Sequence, residues 1–392
     1  MISRRTVVCL GLAQLMSWGV SYYLIGGLGE EMAAALGWSR DLVYGGFTVA
    51  LLVMGLTSPL AGRLIDRHGG RSVMICGSIL NAAGCVMLGL THSVASYLLA
   101  WILLGLGMRL TLYDAAFAAL ARIAGPAARG PISQITLLGG LASTIFWPIG
   151  HYLAELMGWR GALFVYAALA LFTILLHLAI PTARHDAQAP SAGAAPLRQP
   201  LAQGKRELAL AGALYAMLAT LANFLNAGMS AHMIAILGGL GVAATISVWI
   251  ATLRGVGQSL ARLCEVLFGR HVDPLTMNLL ACLLMPLAFM AGLYSSVSGE
   301  AAVAFAFVYG ACNGILTITR GTLPLVLFDP RTYGTLVGRL IAPSFILSAV
   351  APLAYAVIIE RFGQAWGLYL SLACALAMLA SAVALWVLFR RK

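Results

Sequence analysis

The sequence predicts an all-α membrane protein of twelve transmembrane helices, arranged as two pseudo-symmetric six-helix bundles. Three observations carry this: the composition, the spacing of apolar runs, and a weak internal repeat. Of the 392 residues, 61% are hydrophobic and only 9% charged, whereas soluble domains carry about 25% charged residues. So little polar surface cannot cover a water-soluble fold of this size, and the apolar excess must face lipid.

A helix needs about 20 apolar residues to cross a bilayer core. Cutting the chain at its charged and turn-forming clusters yields such runs at 6–27, 42–61, 72–91, 95–120, 133–155 and 160–180, then at 207–230, 241–263, 275–295, 301–324, 336–358 and 366–388. The runs are continuous rather than alternating, which argues against a β-barrel. The first follows Arg4 and Arg5 and has the look of a signal peptide. No polar domain succeeds it, so it reads as a retained span. The long polar stretch 181–206, rich in Pro, Ala and Gln, cannot bury enough apolar area to fold alone. It reads as a cytoplasmic linker between an N-terminal bundle, 1–180, and a C-terminal bundle, 207–392.

Orientation follows from charge. Eighteen of the 24 Lys and Arg residues fall on one side of these spans, only Arg40, Arg160 and Arg361 on the other, and Arg109, Arg254 and Arg320 inside spans 4, 8 and 10. Positive loops stay cytoplasmic, which places both termini and the linker inside; short loops fit a bacterial inner membrane. Basic residues come in ones to threes between apolar runs, so the net charge of +11 does not signify nucleic acid. The seven cysteines lack metal-ligand or paired spacing and read as free buried thiols, with no metal site. No G-x-x-x-x-G-K-S/T loop occurs. A cofactor and enzymatic chemistry are not expected, and neither is a partner beyond the lipid bilayer and a small-molecule substrate; the expected state is a monomer.

Segments of the two halves match in order: GRLID (62–66) with ARLCE (261–265), ELMGW (155–159) with ERFGQ (360–364), and M-x-A-x-L-G at Met32 and Met233, at offsets of 199, 205 and 201. Parallel six-span repeats suit alternating access in a secondary transporter. The loop GRLIDRHGGR between spans 2 and 3, with Gly62, Asp66, Arg67, Gly69, Gly70 and Arg71, resembles the signature loop of the major facilitator superfamily. That resemblance covers essentially the whole chain and implies the family's fold and a gating role for the loop. Asp66 can then meet the positive N-terminal end of a cytoplasm-starting helix, span 11 near Gly334–Gly338. The second-half copy is degraded, with Ala261 and Glu265 in place of glycine and aspartate.

An arginine at mid-span costs about 2.5–3.5 kcal/mol on insertion scales and marks a functional site by default. In a continuous span 4, Tyr113 shares the face of Arg109, while Asp114 points about 140° away. Three buried cations and one carboxylate leave a net positive cavity that matches an anion such as a carboxylate. Arg254, with the aromatic first span WGVSYYLIGGLGEEM, is similar to the monocarboxylate and oxalate exchanging branches of the superfamily. The acidic residue often found one turn before that arginine is Ile250 here. Asp114, inside a span, is the default proton carrier. Trp18, Tyr22, Tyr23, Asn223, Asn226 and Asn313 are the polar and aromatic residues expected to line the path with the arginines and Tyr113; Gln14 is a further path-lining candidate. Tyr22 and Asn223 sit at equivalent repeat positions. The function expected is secondary transport of a small organic anion; the alternative is proton-driven export of lipophilic or cationic drugs, with Asp114 on the substrate and the arginines structural.

Overall fold

The computed structural model describes residues 2–184 and 199–390. The centre of the expected linker, 185–198, and the cytoplasmic charges Arg198, Arg391 and Lys392 lie outside the described residues. Those described form helices and turns, without strand.

In chain order, α1 (Arg4–Ser17) is capped by the Ser3 hydroxyl on the Thr6 amide and runs through a π-helical turn, Trp18–Tyr22, into α2 (Leu24–Leu36). Then come α3 (Arg40–His68), α4 (Gly70–Gly89), α5 (Val94–Thr111), α6 (Tyr113–Ala124), α7 (Arg129–Gly139) and α8 (Ala142–His177). Helix α8 is broken at Gly158, whose φ of 72° lies outside helical space. The remaining helices are α9 (Lys205–Gly239), α10 (Ala244–Phe268), α11 (Pro274–Leu293), α12 (Gly299–Leu327), α13 (Tyr333–Leu340), α14 (Ala342–Phe362) and α15 (Gln364–Phe389).

Nine helical stretches among the described residues are long and apolar enough to cross a membrane. One of them, Val94–His177, takes in the expected spans 95–120 and 133–155 and most of 160–180. Helix α10 is not one of the nine; Arg254, Arg262 and Glu265 dilute its apolar character. The chain is a multi-pass membrane protein.

The helices cluster into two compact units: Met1–Pro200 with Phe328–Ala342, and Leu201–Leu327 with Pro343–Lys392. In the first, α4 packs on α5 and α8, α3 on α5 and α13, and α1 on α7 and α8. Residues 328–342 belong here because α13 lies directly on α3. In the second unit α12 packs on α10 and α11, and α15 on α9 and α11. This unit begins at the linker's end: the Leu201 and Ala202 amides donate to the Val326 and Leu327 carbonyls at 3.0 and 3.1 Å, satisfying acceptors that the end of α12 leaves open.

Lipid supplies no hydrophobic drive for helix association, so close backbone approach at small residues takes its place. The α10–α12 contact shows this at Gly310, where an added Cβ would collide with the backbone carbonyl of Arg254. The position of Arg254 therefore depends on the missing side chain at 310. Gly310→Val should cost about 1–3 kcal/mol, as overpacking does in well-packed cores; a lowered Tm of the detergent-purified protein is the expected readout.

Candidate functional site

Two arginines of the second unit are held from one helix. On α9, Asn223 and Asn226 are three residues apart and so share a face. The Asn226 amide oxygen accepts from Nη2 of Arg254 at 2.5 Å and from Nδ2 of Asn313 at 2.9 Å. The Arg254 guanidinium also stands 5.4 Å from the centroid of the Tyr309 ring, within cation–π range. The Asn223 oxygen accepts from Nη1 of Arg320 at 2.9 Å, its nitrogen donates to Ser344 Oγ at 3.0 Å, and the Tyr215 hydroxyl donates to the Arg320 carbonyl at 2.8 Å. Arg254, Arg320, Asn223, Asn226 and Asn313 thus form two linked polar groups on α9, α10 and α12.

Beside them is a small cavity of about 30 Å³ lined in part by Asn223, Asn278, Asn313, Thr319 and Arg320. It has room for about two waters. Asn278, which the sequence reading passes over, accepts from the Thr319 hydroxyl at 3.1 Å. Its only signal is an asparagine among apolar residues of span 9.

In the first unit, span 4 is not one helix. Leu112, with ψ of −176°, separates α5 from α6. Tyr113 and Asp114 therefore open a new helix, and Tyr113 does not share the Arg109 face as a continuous helix would require. The Ala115 amide bonds the Leu112 carbonyl at 3.0 Å instead of that of Thr111. The Thr111 carbonyl takes the side-chain amide of Gln14 at 2.7 Å, and the Thr111 hydroxyl takes that of Asn81 at 3.0 Å. Asp114, 8% exposed, lies in the first turn of α6, where the helix dipole favours a carboxylate. Arg109, 3% exposed, reaches the Ser58 carbonyl of α3 at 3.5 Å.

The aromatic candidates gather nearby. Trp18 lies 4.8 Å from Tyr22, 5.9 Å from Tyr23 and 4.9 Å from Tyr113 between ring centroids. In a regular α-helix residue 23 would point about 140° from residue 18; the π-turn, closed by the Tyr23 amide on the Trp18 carbonyl at 3.0 Å, brings them to one side. Tyr113 is buried and donates to the Thr136 carbonyl at 3.1 Å, which makes it a packing residue in this conformation.

At the signature loop, Asp66 accepts from the Gly334 amide through Oδ1 at 3.0 Å and from the Thr335 amide through Oδ2 at 2.6 Å. These are first-turn donors of α13, satisfied by a carboxylate in the manner of an N-cap. Gly62 makes the approach possible, since a Cβ there would run into the Gly334 carbonyl. Arg71 is turned elsewhere: its Nε donates to the Ile180 carbonyl at 2.6 Å, tying down the chain after α8. Arg122, in the sequence only a cytoplasmic charge, donates to the Asp66 carbonyl at 3.2 Å and the Thr182 carbonyl at 3.4 Å. Gly69 and Gly70 are buried at the α3–α4 turn, and Arg67 is exposed.

Residues 10–338 match the family model described as Major Facilitator Superfamily. The chain belongs to that family of membrane transporters. It is 30% identical over 162 residues to monocarboxylate transporter 13 of Rattus norvegicus, covering 41% of this chain and 36% of the rat protein. To the multidrug resistance protein MdtL of Shewanella oneidensis it is 26% identical over 184 residues, 46% of each. The matched stretches thus span less than half the length of either relative. The fold resembles the crystal structure of the human organic anion transporter MFSD10, with a TM-score of 0.72 at 18% identity over 97% of this chain and 99% of that one.

Two substitutions probe the supports. Asp66→Ala should cost about 0.5–2 kcal/mol, the range for losing a helix cap, seen as a lower Tm in detergent. Gln14→Leu strands the buried Thr111 carbonyl, for which about 1–3 kcal/mol is expected; chemical denaturation in mixed micelles would register it.

Proposed function

We propose that this transporter is a secondary carrier of a small, carboxylate-like organic anion, working by alternating access. The observation that carries this reading is Arg254, a mid-span cation held by the neutral oxygen of Asn226 and the face of Tyr309. An arginine at such a depth costs several kcal/mol unless its surroundings compensate. A pairing with amide and aromatic groups leaves its charge available to a ligand. The local similarity to monocarboxylate transporter 13 supports the same reading.

In this scheme Arg254, Arg320 and Arg109 attract and orient the anion, while Trp18, Tyr22, Tyr23, Tyr113 and Asn313 shape the path. Asp114 is the coupling site if protons drive the cycle. The halves 1–180 and 207–392, joined by 181–206, open alternately to the two sides. Release and re-formation of the Asp66 cap on α13 gates the cytoplasmic side, with Gly62, Arg67, Gly69, Gly70 and Arg71 shaping that loop. The chain works as a monomer in a bacterial inner membrane, both termini cytoplasmic, without a cofactor.

The local similarity to MdtL favours a second reading, export of lipophilic or cationic drugs. Arg254→Gln separates the two. Under anion transport, saturable uptake of labelled carboxylates by proteoliposomes should fall at least tenfold in this variant. Retained drug resistance in cells carrying it, with no carboxylate flux in the parent, would establish export instead.

A further inference from the structure

The amide of Asn226 lies on α9 among residues expected to line the path, yet its oxygen is already used twice. Arg254 Nη2 and Asn313 Nδ2 approach it at 2.5 and 2.9 Å. An amide oxygen has two lone pairs, so none is left for a substrate donor. A guanidinium only donates, which fixes the amide with its oxygen toward Arg254. The other contact of Arg254 is the Tyr309 ring, and neither ion pair among the described residues includes it. Ionisable residues inside membranes commonly pair with one another or with backbone carbonyls. This one is oriented by a group that carries no charge. The same arrangement recurs one turn earlier on α9, where Asn223 accepts from Arg320.

We propose that Asn226 is a positioning residue that determines specificity: it aims the Arg254 guanidinium through a neutral oxygen, and that neutrality preserves the site's preference for anions. The proposal rests on the anion-transport reading above. A carboxylate at position 226 would keep the shape and both hydrogen bonds while cancelling the charge. A purely structural role therefore makes Asn226→Asp the mildest change, being nearly isosteric, and Asn226→Leu the harsher one. A charge-setting role reverses that order.

The test uses the full-length chain in proteoliposomes with radiolabelled acetate, lactate and succinate, reading KM and kcat separately. The expected result is that Asn226→Asp raises KM at least tenfold with kcat changed less than threefold, and raises it more than Asn226→Leu does. An unchanged KM in Asn226→Asp, beside an active parent, overturns the proposal and leaves anion transport standing. A parent that moves none of the three probes overturns both. If Asn226→Asp does not fold, Asn226→Ser is compared with Asn226→Leu: the retained neutral acceptor should hold KM within threefold and the apolar side chain raise it tenfold, and equal values overturn the positioning role.

Discussion

A full positive charge midway along α10, only partly exposed, is the constraint around which the second unit is organised. The guanidinium of Arg254 is held without being neutralised, by groups of two kinds. An amide oxygen gives direction, and an aromatic face gives diffuse electrostatic attraction. Neither removes charge. The backbone supports the same end, since α12 meets α10 at Gly310 against the arginine's own main chain. Tyr309, the neighbouring residue on α12, is thereby brought under the guanidinium.

The first unit solves a different problem by interrupting a helix. Ending α5 at Thr111 frees backbone groups in a region where unsatisfied ones cost several kcal/mol. Gln14 reaches in from α1 to occupy the Thr111 carbonyl, while Asn81 on α4 holds the Thr111 hydroxyl. What is gained is a fresh helix N-terminus beside Asp114, with a field that favours the carboxylate. The π-turn in the first span acts in a similar way, exchanging regular geometry for a change of register that gathers Trp18, Tyr22 and Tyr23. Such turns recur at functional sites.

Much of this was legible in the sequence. Twenty-residue apolar runs specify membrane helices because the bilayer sets their length, and the GRLIDRHGGR loop directs attention to Gly334–Gly338, where Asp66 meets the Gly334 and Thr335 amides. Arginines interrupting apolar spans stand out for the same energetic reason. The break at Leu112 left no trace, because RLTLYD contains neither proline nor glycine and the unwinding is supported by side chains far away in the chain. The roles of Asn81, Asn278 and Arg122 were hidden likewise, since each depends on a carbonyl or hydroxyl of another helix. Asn226 was visible as a polar residue, but which partner takes its oxygen is a matter of packing.

The Asp66 clasp has an asymmetry of authorship. Its acceptor is one side chain, whereas two of its donors are main-chain amides whose positions differ in tolerance: almost any residue at 335 would supply the amide, but at 334 a Cβ would stand 2.6 Å from both the Gly62 carbonyl oxygen and Asp66 Oδ1. Drift at 335 can thus leave the main-chain part of the clasp intact so long as proline is avoided, whereas 334 has no room for a side chain. Loss of the carboxylate on α3 admits no comparable substitute. Evolutionary tolerance should consequently be lopsided, with the grip encoded by the Asp66 carboxylate and by the two glycines, 62 and 334, that let the backbones meet.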